Sequence, residues 1–188
     1  MTNLEDSYGL SEEAQLDIKW WCNYLRIWNG KSLLSIQMGH VYQVFTDASG
    51  LGMGGVCNGS WFSVPWLPQY RNKHINILEL FGVATAIVTW FQNHNNVKIL
   101  IYTDNKTIVD IWYTGSTKCR DMMAIIRYLF FFLAKRDLKV TLQHVYGYNN
   151  KAADLLSRLQ VHQFKERTPG ADEKMSTVPP EIWALCKH

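Results

Sequence analysis

Residues 41–64 have the sequence VYQVFTDASGLGMGGVCNGSWFSV, and this stretch decides the fold. Its first part, 41–47, alternates in polarity and is rich in β-branched and aromatic residues, so it is predicted to be a strand. The next two apolar runs, GMGGVC and SWFSV, flank Asn58-Gly59, a pair that is typical of a tight hairpin turn. The stretch therefore predicts three consecutive strands joined by short turns.

The chain after these strands alternates between helix and strand patterns. Residues 76–94 carry apolar side chains at helical spacing, and 97–103 form a continuous apolar run that is typical of a strand covered on both faces. A further strand is predicted at 138–145, and helices are predicted at 105–113, 120–136 and 151–159. The predicted order of elements is therefore β-β-β-α-β-α-α-β-α.

The sequence divides into a main domain with two flanking segments. Residues 1–39 are predicted to be an N-terminal helical connection segment, 40–161 the main domain, and 162–188 a polar linker or tail. Ser11 is the expected N-cap of the first helix, and Asn29-Gly30 its expected end. The apolar stripe of this helix consists of Leu16, Trp20, Tyr24 and Ile27.

The composition favours a folded intracellular protein. Of the 188 residues, 47% are apolar and 19% are charged, which is ample for a core and argues against disorder. A net charge of +3 is compatible with nucleic-acid binding but does not require it. Four scattered cysteines without a CxxC pair argue against a zinc site or a disulfide framework. With no signal peptide and no apolar run of membrane-spanning length, we expect a cytoplasmic or nuclear location and no membrane partner.

Four acidic residues fall at the ends or beginnings of predicted elements. Asp47 ends the first strand and Asp104 follows the strand at 97–103, and the carboxyl ends of parallel strands face one crevice. Glu79 is expected in the first turn of its helix, and Asp154 in the first turn of the last helix. A right-handed crossover between the last two strands would bring Asp154 to the same edge, so the four carboxylates are predicted to converge.

Converging carboxylates require a cation. Two carboxylates about 4 Å apart repel by roughly 4 kcal/mol at an effective dielectric of about 20. Oxygen ligands without His or Cys select Mg²⁺, for which Mn²⁺ can substitute, and a pair of such ions suits an in-line phosphoryl displacement. The sequence therefore predicts a two-ion centre.

Each acid also has a purely structural explanation. Asp47 and Asp104 suit helix or turn caps, and Glu79 suits the positive end of a helix dipole. Asp154 lies four residues before Arg158, which is the spacing of a helical ion pair. These alternatives stay open for each acid alone, although all four would have to be accidental together.

Four motifs occur along the chain in a fixed order: FTDAS (45–49), INILEL (75–80), YTDN (102–105) and YGYNNKAADLLSR (146–158). In this order they resemble the ribonuclease H domains of retroelement reverse transcriptases, with the closest likeness to tyrosine-recombinase retrotransposons of the DIRS type. The resemblance covers roughly residues 11–183. It implies a ribonuclease H-like α/β fold, in which a mixed five-stranded sheet (three antiparallel strands, then two parallel) carries helices on both faces.

The resemblance also implies an activity and a set of partners. It implies a metal-dependent endonuclease that hydrolyses the RNA strand of RNA–DNA hybrids, within a retrotransposon-derived polyprotein that has adjoining reverse transcriptase and tyrosine recombinase domains. The metal-binding and catalytic residues of the family correspond to Asp47, Glu79, Asp104 and Asp154.

Five further residues become candidate contacts to the nucleic acid through the same resemblance. Asn76 would reach the minor groove, where a 2′-hydroxyl can be sensed, and Ser49 and Asn105 would contact the backbone. Lys106 and Lys151 would contact phosphates. Each has an alternative: Asn76 as the helix N-cap, Ser49 and Asn105 as turn and cap residues, and the lysines as solvated surface charges.

One position departs from the family pattern. Many ribonucleases H have a histidine in the loop before the last acid, and Tyr148 occupies that position here. His144, inside the predicted strand, is interpreted as a structural residue. Two rival hypotheses stay open: a non-catalytic module of the same fold that binds nucleic acid or docks a neighbouring domain, and a related metal nuclease that cuts DNA.

Overall fold

The computed structural model describes residues 9–25 and 40–185. The chain divides into two compact units, Met1–Ile36 and Gln37–His188. In the first unit, α1 (Glu12–Tyr24) begins after Ser11, whose side chain accepts a hydrogen bond from the Ala14 amide at 3.2 Å, so the predicted cap is confirmed. The helix end predicted at Asn29-Gly30 and the stripe residue Ile27 lie outside the described residues.

The second unit is built on a five-stranded mixed sheet. Its strands lie in the order β3-β2-β1-β4-β5. β1 pairs antiparallel with β2, and β2 antiparallel with β3, whereas β4 and β5 continue the sheet parallel to β1. The strand bounds are β1 Val41–Ala48, β2 Gly52–Cys57, β3 Ser60–Pro65, β4 Lys98–Thr103 and β5 Lys139–His144. The predicted mixed sheet, with its three antiparallel and two parallel strands, is confirmed.

Two details of the sheet test the strand predictions made from the sequence. Asn58 and Gly59 have positive φ angles of 50° and 92°, as a tight hairpin turn requires, and they join β2 to β3 as predicted. β4, in contrast, is fully covered on one face only: Ile99 and Ile101 are buried, while Leu100 and Tyr102 are partly exposed. The strand is therefore covered on both faces as predicted, fully on one and in part on the other.

Helices lie on both faces of this sheet. Met53 of β2 contacts Thr85 of the central helix, α2 (Ile75–Phe91). Its neighbour Gly54 faces α5 (Lys151–Ser157), because successive residues of a strand point to opposite faces of the sheet. The central helix is apolar almost all around because it lies between the sheet and α4, and it forms the middle of the main core. The helix bounds are α2 Ile75–Phe91, α3 Lys106–Thr114, α4 Arg120–Arg136, α5 Lys151–Ser157 and α6 Val161–Arg167.

The chain after Val161 is not the linker that its polar composition suggested. It forms α6 and a 3-10 helix, Pro180–Ala184, and both bury apolar side chains: Phe164 and Ile182 are fully buried. Phe164 packs with Trp61 and α5 in a small second core, and Ile182 belongs to the main core. A few apolar residues widely spaced among polar ones give no periodic signal, so only the tertiary structure reveals their role. The domain boundaries themselves stay a prediction.

The tryptophans Trp61, Trp66, Trp90 and Trp112 of the main unit lie in or against its hydrophobic cores. Trp61 and Trp66 are buried, and Trp90 and Trp112 pack against the main core, so all four are structural residues. In residues 9–25 and 40–185, no helix combines the length and the apolar character needed to cross a bilayer.

Candidate metal centre

Three acidic side chains meet at the carboxyl edge of the two central parallel strands. One carboxylate oxygen from each of Asp47, Glu79 and Asp104 lies within 4.8 Å of those of the other two. Asp47 is the second-last residue of β1, and Asp104 directly follows β4. These two strands are parallel neighbours. Three of the four predicted acids are therefore brought together by the sheet edge that the sequence indicated.

Glu79 reaches the cluster from α2. The helix begins at Ile75, after His74, whose ring nitrogen accepts a hydrogen bond from the Asn76 amide at 3.2 Å. Asn76 is thus inside the helix and its predicted role as N-cap was wrong. Glu79 is the fifth helical residue, so it lies in the second turn and not in the first. The helix-dipole explanation for this acid is correspondingly weakened, because that effect fades beyond the first turn.

The cluster is electrostatically costly as it stands. Glu79 is 5% exposed, and burial, together with the charges of Asp47 and Asp104, raises its pKa to about 9, against a lowering by the Ala48 amide. Burial also raises the pKa of Asp47 to about 6; Asp104 and Asp154 add to this, while a hydrogen bond from Ser157 and the charge of Arg158 oppose it. In both residues the largest cause is burial, which disfavours the charged carboxylate, and neighbouring negative charges add to it.

Asp154, the fourth predicted acid, stands apart from the group of three. It lies in the first turn of α5, where its carboxylate accepts a hydrogen bond from Arg158 at 2.6 Å. The ion-pair alternative that the sequence left open is therefore present. Asp154 is still close enough to Asp47 for its charge to raise the pKa of that residue. Its place is at the border of the cluster.

Helix α5 is fastened to the acid-bearing strand through residues that the sequence reasoning missed. Ser157 is fully buried; its hydroxyl donates to Asp47 Oδ2 at 2.5 Å and lies 2.9 Å from the Asp154 carbonyl oxygen. At the other end of the helix, Asn150 donates to the Thr46 carbonyl at 2.9 Å. Gly54 permits the close approach, because a Cβ atom there would lie 2.4 Å from Cβ of Leu156. The sequence signal that could have identified Ser157 was a serine on the apolar side of a short predicted helix.

The predicted nucleic-acid contacts fall into two groups. Asn105 caps α3 and also donates to Asn76 Oδ1 at 3.0 Å, so these two side chains form a partly exposed pair one residue from Asp104. Ser49 donates to the Ser157 carbonyl at 2.8 Å and accepts from the Leu51 amide, which is a structural role. The last two candidates, Lys106 and Lys151, are exposed at the beginnings of α3 and α5.

The donor set fits a hard divalent cation. Oε2 of Glu79 is buried and accepts no hydrogen bond from the described residues, so this oxygen has no protein partner to offset its desolvation. Every side chain of the three-acid group offers an oxygen, and Mg²⁺ and Mn²⁺ prefer such ligands. A cation held by Asp47, Glu79 and Asp104 would supply the missing positive charge.

The architecture defines a class of fold that known structures share. The chain resembles LC11-RNase H1, isolated from compost by a metagenomic approach, with a TM-score of 0.51 and 13% identity over 65% of this chain and 95% of that chain. The protein therefore has a ribonuclease H fold. The crystal structure of LC11-RNase H1 in complex with RNA/DNA hybrid matches with a TM-score of 0.46 and 14% identity, covering 61% of this chain and 92% of that one. RNase H1 from the halophilic archaeon Halobacterium salinarum NRC-1 matches with 0.45 and 15%, covering 66% and 99%.

The family follows from the sequence. The model of the reverse transcriptase-like family matches residues 57–160, which is more than half of the 188 residues, and the chain belongs to this family. The matched segment contains Glu79, Asp104 and Asp154 and begins after Asp47. No curated protein matches the sequence.

Proposed function

We propose that this chain is a metal-dependent endonuclease that hydrolyses the RNA strand of RNA–DNA hybrids. The observation that carries the proposal is the group of Asp47, Glu79 and Asp104, two of them buried, at the carboxyl edge of a ribonuclease H fold. Three acids crowded in this way destabilise the fold unless a cation is bound, and a chain that only needed a packed core would have no use for them. The likeness of the fold to LC11-RNase H1 and the membership of the reverse transcriptase-like family make the RNA–DNA hybrid the first substrate to test.

Each residue of the centre receives a role in this proposal. Asp47, Glu79 and Asp104 would hold the cation, which when bound stabilises charge on phosphoryl oxygens and lowers the pKa of water. Mg²⁺ is the ion we propose, with Mn²⁺ as its substitute. Asp154, at the border of the group, is proposed as the fourth acid, and a second ion would depend on it because the other three already share one cluster.

The surrounding polar residues would position the duplex. The Asn76–Asn105 pair is exposed beside Asp104 and offers amide groups to a sugar hydroxyl or phosphate. Lys106 and Lys151, at the exposed beginnings of two helices, would neutralise backbone phosphates. The Ser49 hydroxyl already donates a hydrogen bond to the Ser157 carbonyl. We therefore propose that only the main chain of the turn at Ser49 contacts the nucleic-acid backbone.

The wider setting of the domain is also a proposal. The order of the motifs supports an origin in a DIRS-type retrotransposon, with a reverse transcriptase domain before this chain and a tyrosine recombinase domain after it. The membership of the reverse transcriptase-like family agrees with such a setting. Sequencing of the flanking DNA tests it, and open reading frames without either domain would contradict it.

A cleavage assay tests the activity. The 188-residue chain is incubated with labelled RNA–DNA hybrid, double-stranded RNA and double-stranded DNA, in Mg²⁺, Mn²⁺ or EDTA. We expect cleavage of the hybrid alone, only with a divalent ion, and its loss in Asp104→Asn. Asp110→Asn is the matched control, because Asp110 is an exposed acid on the adjoining α3. This variant should cleave the hybrid like the wild type.

Three outcomes would contradict the proposal. Binding of the hybrid without cleavage in either metal, measured by fluorescence anisotropy, would favour the non-catalytic module. Cleavage of double-stranded DNA would favour a related DNA nuclease. Equal loss of activity in Asp104→Asn and Asp110→Asn would show that general charge, and not the three-acid group, governs the reaction.

A further inference from the structure

Two tyrosines in the loop between β5 and α5 are exposed to an unusual degree. Tyr146 and Tyr148 are 66% and 74% exposed, the highest values among the large apolar side chains of the described residues. Their rings are stacked, with centroids 5.7 Å apart and planes that differ by 6°. This tyrosine pair leaves the outer face of Tyr148 open to solvent.

The pair lies directly beside the acid cluster. Gly147 separates the two tyrosines in sequence, and a Cβ atom on it would lie 3.2 Å from Oδ2 of Asp104. His144 extends the aromatic surface on the other side: the centroids of its ring and the Tyr146 ring are 5.8 Å apart in an edge-to-face arrangement, and its Nε2 lies 3.1 Å from the Asp104 carbonyl oxygen. The loop that carries the tyrosine pair therefore lies against Asp104 of the three-acid group.

The loop that carries the pair has a defined backbone. Gly147–Asn149 forms a 3-10 turn, in which the Asn149 amide donates to the Tyr146 carbonyl at 2.8 Å and the Asn150 amide to the Gly147 carbonyl at 3.0 Å. The buried side chain of Asn150 then ties the turn to β1. The backbone that carries the two rings is thus ordered before any ligand binds, which lowers the entropy lost on binding.

Packing does not explain why two aromatic rings are kept in this position. Neither ring belongs to the main core or to the small second core. No described residue is hydrogen-bonded to either hydroxyl. Tyr113 is a useful contrast, since it is 63% exposed but its hydroxyl donates to the Leu142 carbonyl at 3.0 Å. An exposed, preformed aromatic stack next to a phosphate-handling centre has the properties of a surface for nucleotides.

We propose that the pair of Tyr146 and Tyr148 is a nucleotide-contact surface, on which the sugar or base of a nucleotide next to the cleaved phosphate packs. The inference rests on the proposed function, because it takes the nucleic acid to be the occupant of the acid cluster. It assigns the loop a role in binding the RNA–DNA hybrid and none in the chemical step. The open ring face of Tyr148 makes the main contact, and Tyr146 supports it from behind.

Anisotropy of a fluorescein-labelled RNA–DNA hybrid, titrated with protein in EDTA, tests the contact without any cleavage. We expect Tyr148→Ala to weaken binding by roughly 5- to 150-fold, the range expected when one stacking contact is lost. Tyr148→Phe keeps the ring and should bind like the wild type. Tyr113→Ala is the control for loss of an equally exposed tyrosine and should also leave the affinity unchanged.

Kinetics and thermal melting complete the test. In Mg²⁺, Tyr148→Ala should raise KM and leave kcat unchanged, and both Tyr148 variants should retain the wild-type melting temperature. Wild-type affinity in Tyr148→Ala, with cleavage intact, would overturn the contact and leave the proposed function standing. Weakened binding in Tyr148→Ala alone, in a chain that cuts nothing, would support the contact while the nuclease proposal failed. A fall in kcat in both Tyr148→Ala and Tyr148→Phe would also overturn the proposed contact, because the Tyr148 hydroxyl would then take part in the reaction.

Discussion

Asp47 and Glu79 of the acid cluster are buried, and so is Trp61 at the β3 edge of the sheet, but burial has opposite consequences at the two places. At the acid cluster, it raises the pKa of Asp47 to about 6 and that of Glu79 to about 9. At the β3 edge, the tail supplies partners for the groups it covers: the Trp61 ring nitrogen donates to the Asp172 carbonyl at 2.7 Å, and the Ser176 amide donates to the Trp61 carbonyl at 2.8 Å.

The difference separates the acids on which the proposed function depends from residues that stabilise the fold. The cluster holds unpaired charge that weakens the fold, and the tail-covered edge adds apolar burial and satisfied hydrogen bonds. Substitutions in the two regions should therefore change the stability of the protein in opposite directions. At the cluster they should stabilise the metal-free protein and remove activity, whereas at the β3 edge they should destabilise it and leave the metal centre unchanged.

The largest expected effect is on cleavage, in Glu79→Gln. The substitution keeps the shape of the side chain but removes one negative charge from the group that would hold the cation. Loss of several kcal/mol of transition-state stabilisation corresponds to a fall of roughly 10³-fold in the rate of hybrid cleavage. Single-turnover kinetics in saturating Mg²⁺ measures it. A rate close to that of the wild type would remove Glu79 from the centre.

The same substitution should change how stability depends on pH. Glu79 has a pKa of about 9 in the folded chain and an ordinary value of 4.5 when unfolded, so the folded chain binds more protons between these values. The stability of the metal-free protein should therefore be greatest at low pH and fall as pH rises towards 9. Melting temperatures in EDTA should show this fall in the wild type and a smaller one in Glu79→Gln. A wild-type melting temperature that rises over this interval would contradict the shift.

The edge region should respond in the opposite way to Phe164→Ala. Phe164 is fully buried against Trp61 and α5, and removal of a buried aromatic ring costs about 3–5 kcal/mol. Urea unfolding measures this loss, and Gln163→Ala on the exposed face of α6 is the control. Below the unfolding transition, Mg²⁺ affinity should be unchanged. A weakened metal site in the folded variant would show that the two regions are coupled.

A matched pair of serines tests the boundary between the two regions. Ser157 and Ser63 both donate from buried positions to partners around α5, but only Ser157 reaches a carboxylate, at Asp47 Oδ2; Ser63 donates to the Leu156 carbonyl at 2.6 Å. Each Ser→Ala change should cost about 1 kcal/mol of stability. Ser157→Ala alone should also weaken Mg²⁺ binding, by about 10- to 100-fold, as losses of groups that orient metal ligands do.

Calorimetry of Mg²⁺ binding distinguishes the serines, and Ser157→Thr should restore most of the affinity because it retains the hydroxyl. Equal metal affinity in Ser157→Ala and Ser63→Ala would mean that Ser157 only fastens the helix. The orientation of Asp47 would then depend on β1 alone.

Sequence patterns were sufficient where one strong local signal decided the structure. Asn58-Gly59 located the hairpin, and the ends of two parallel strands located Asp47 and Asp104. They failed where the decision lay in tertiary contacts. Phe164 is a single apolar residue in a polar stretch, so its burial against α5 left no periodic trace, and the cap of α2 passed to His74 because its ring happens to reach the Asn76 amide.

The position of Asp154 was undecided for a different reason. Its carboxylate has two possible partners, the cluster and Arg158, and both would use the same side chain from the same helical position. Exposed ion pairs at this spacing contribute only about 0.3–0.5 kcal/mol, so a sequence cannot show which partner is preferred. The difference is small enough for a bound cation to reverse it.

Arg158→Gln, with the smallest expected effect on stability, addresses this balance. Arg158 is 54% exposed and its side chain lies 2.6 Å from the Asp154 carboxylate, so its loss should change the free energy of unfolding by less than about 0.5 kcal/mol. It should, however, leave the cluster more negative and Asp154 free to turn towards it, so Mg²⁺ affinity should rise a few-fold at low salt and less at high salt. Arg158→Lys, which keeps the charge, is the control. If affinity in Arg158→Gln equals that of the wild type at low salt, Asp154 is an ion-pair partner of α5 and no part of the metal centre, and the centre consists of three acids.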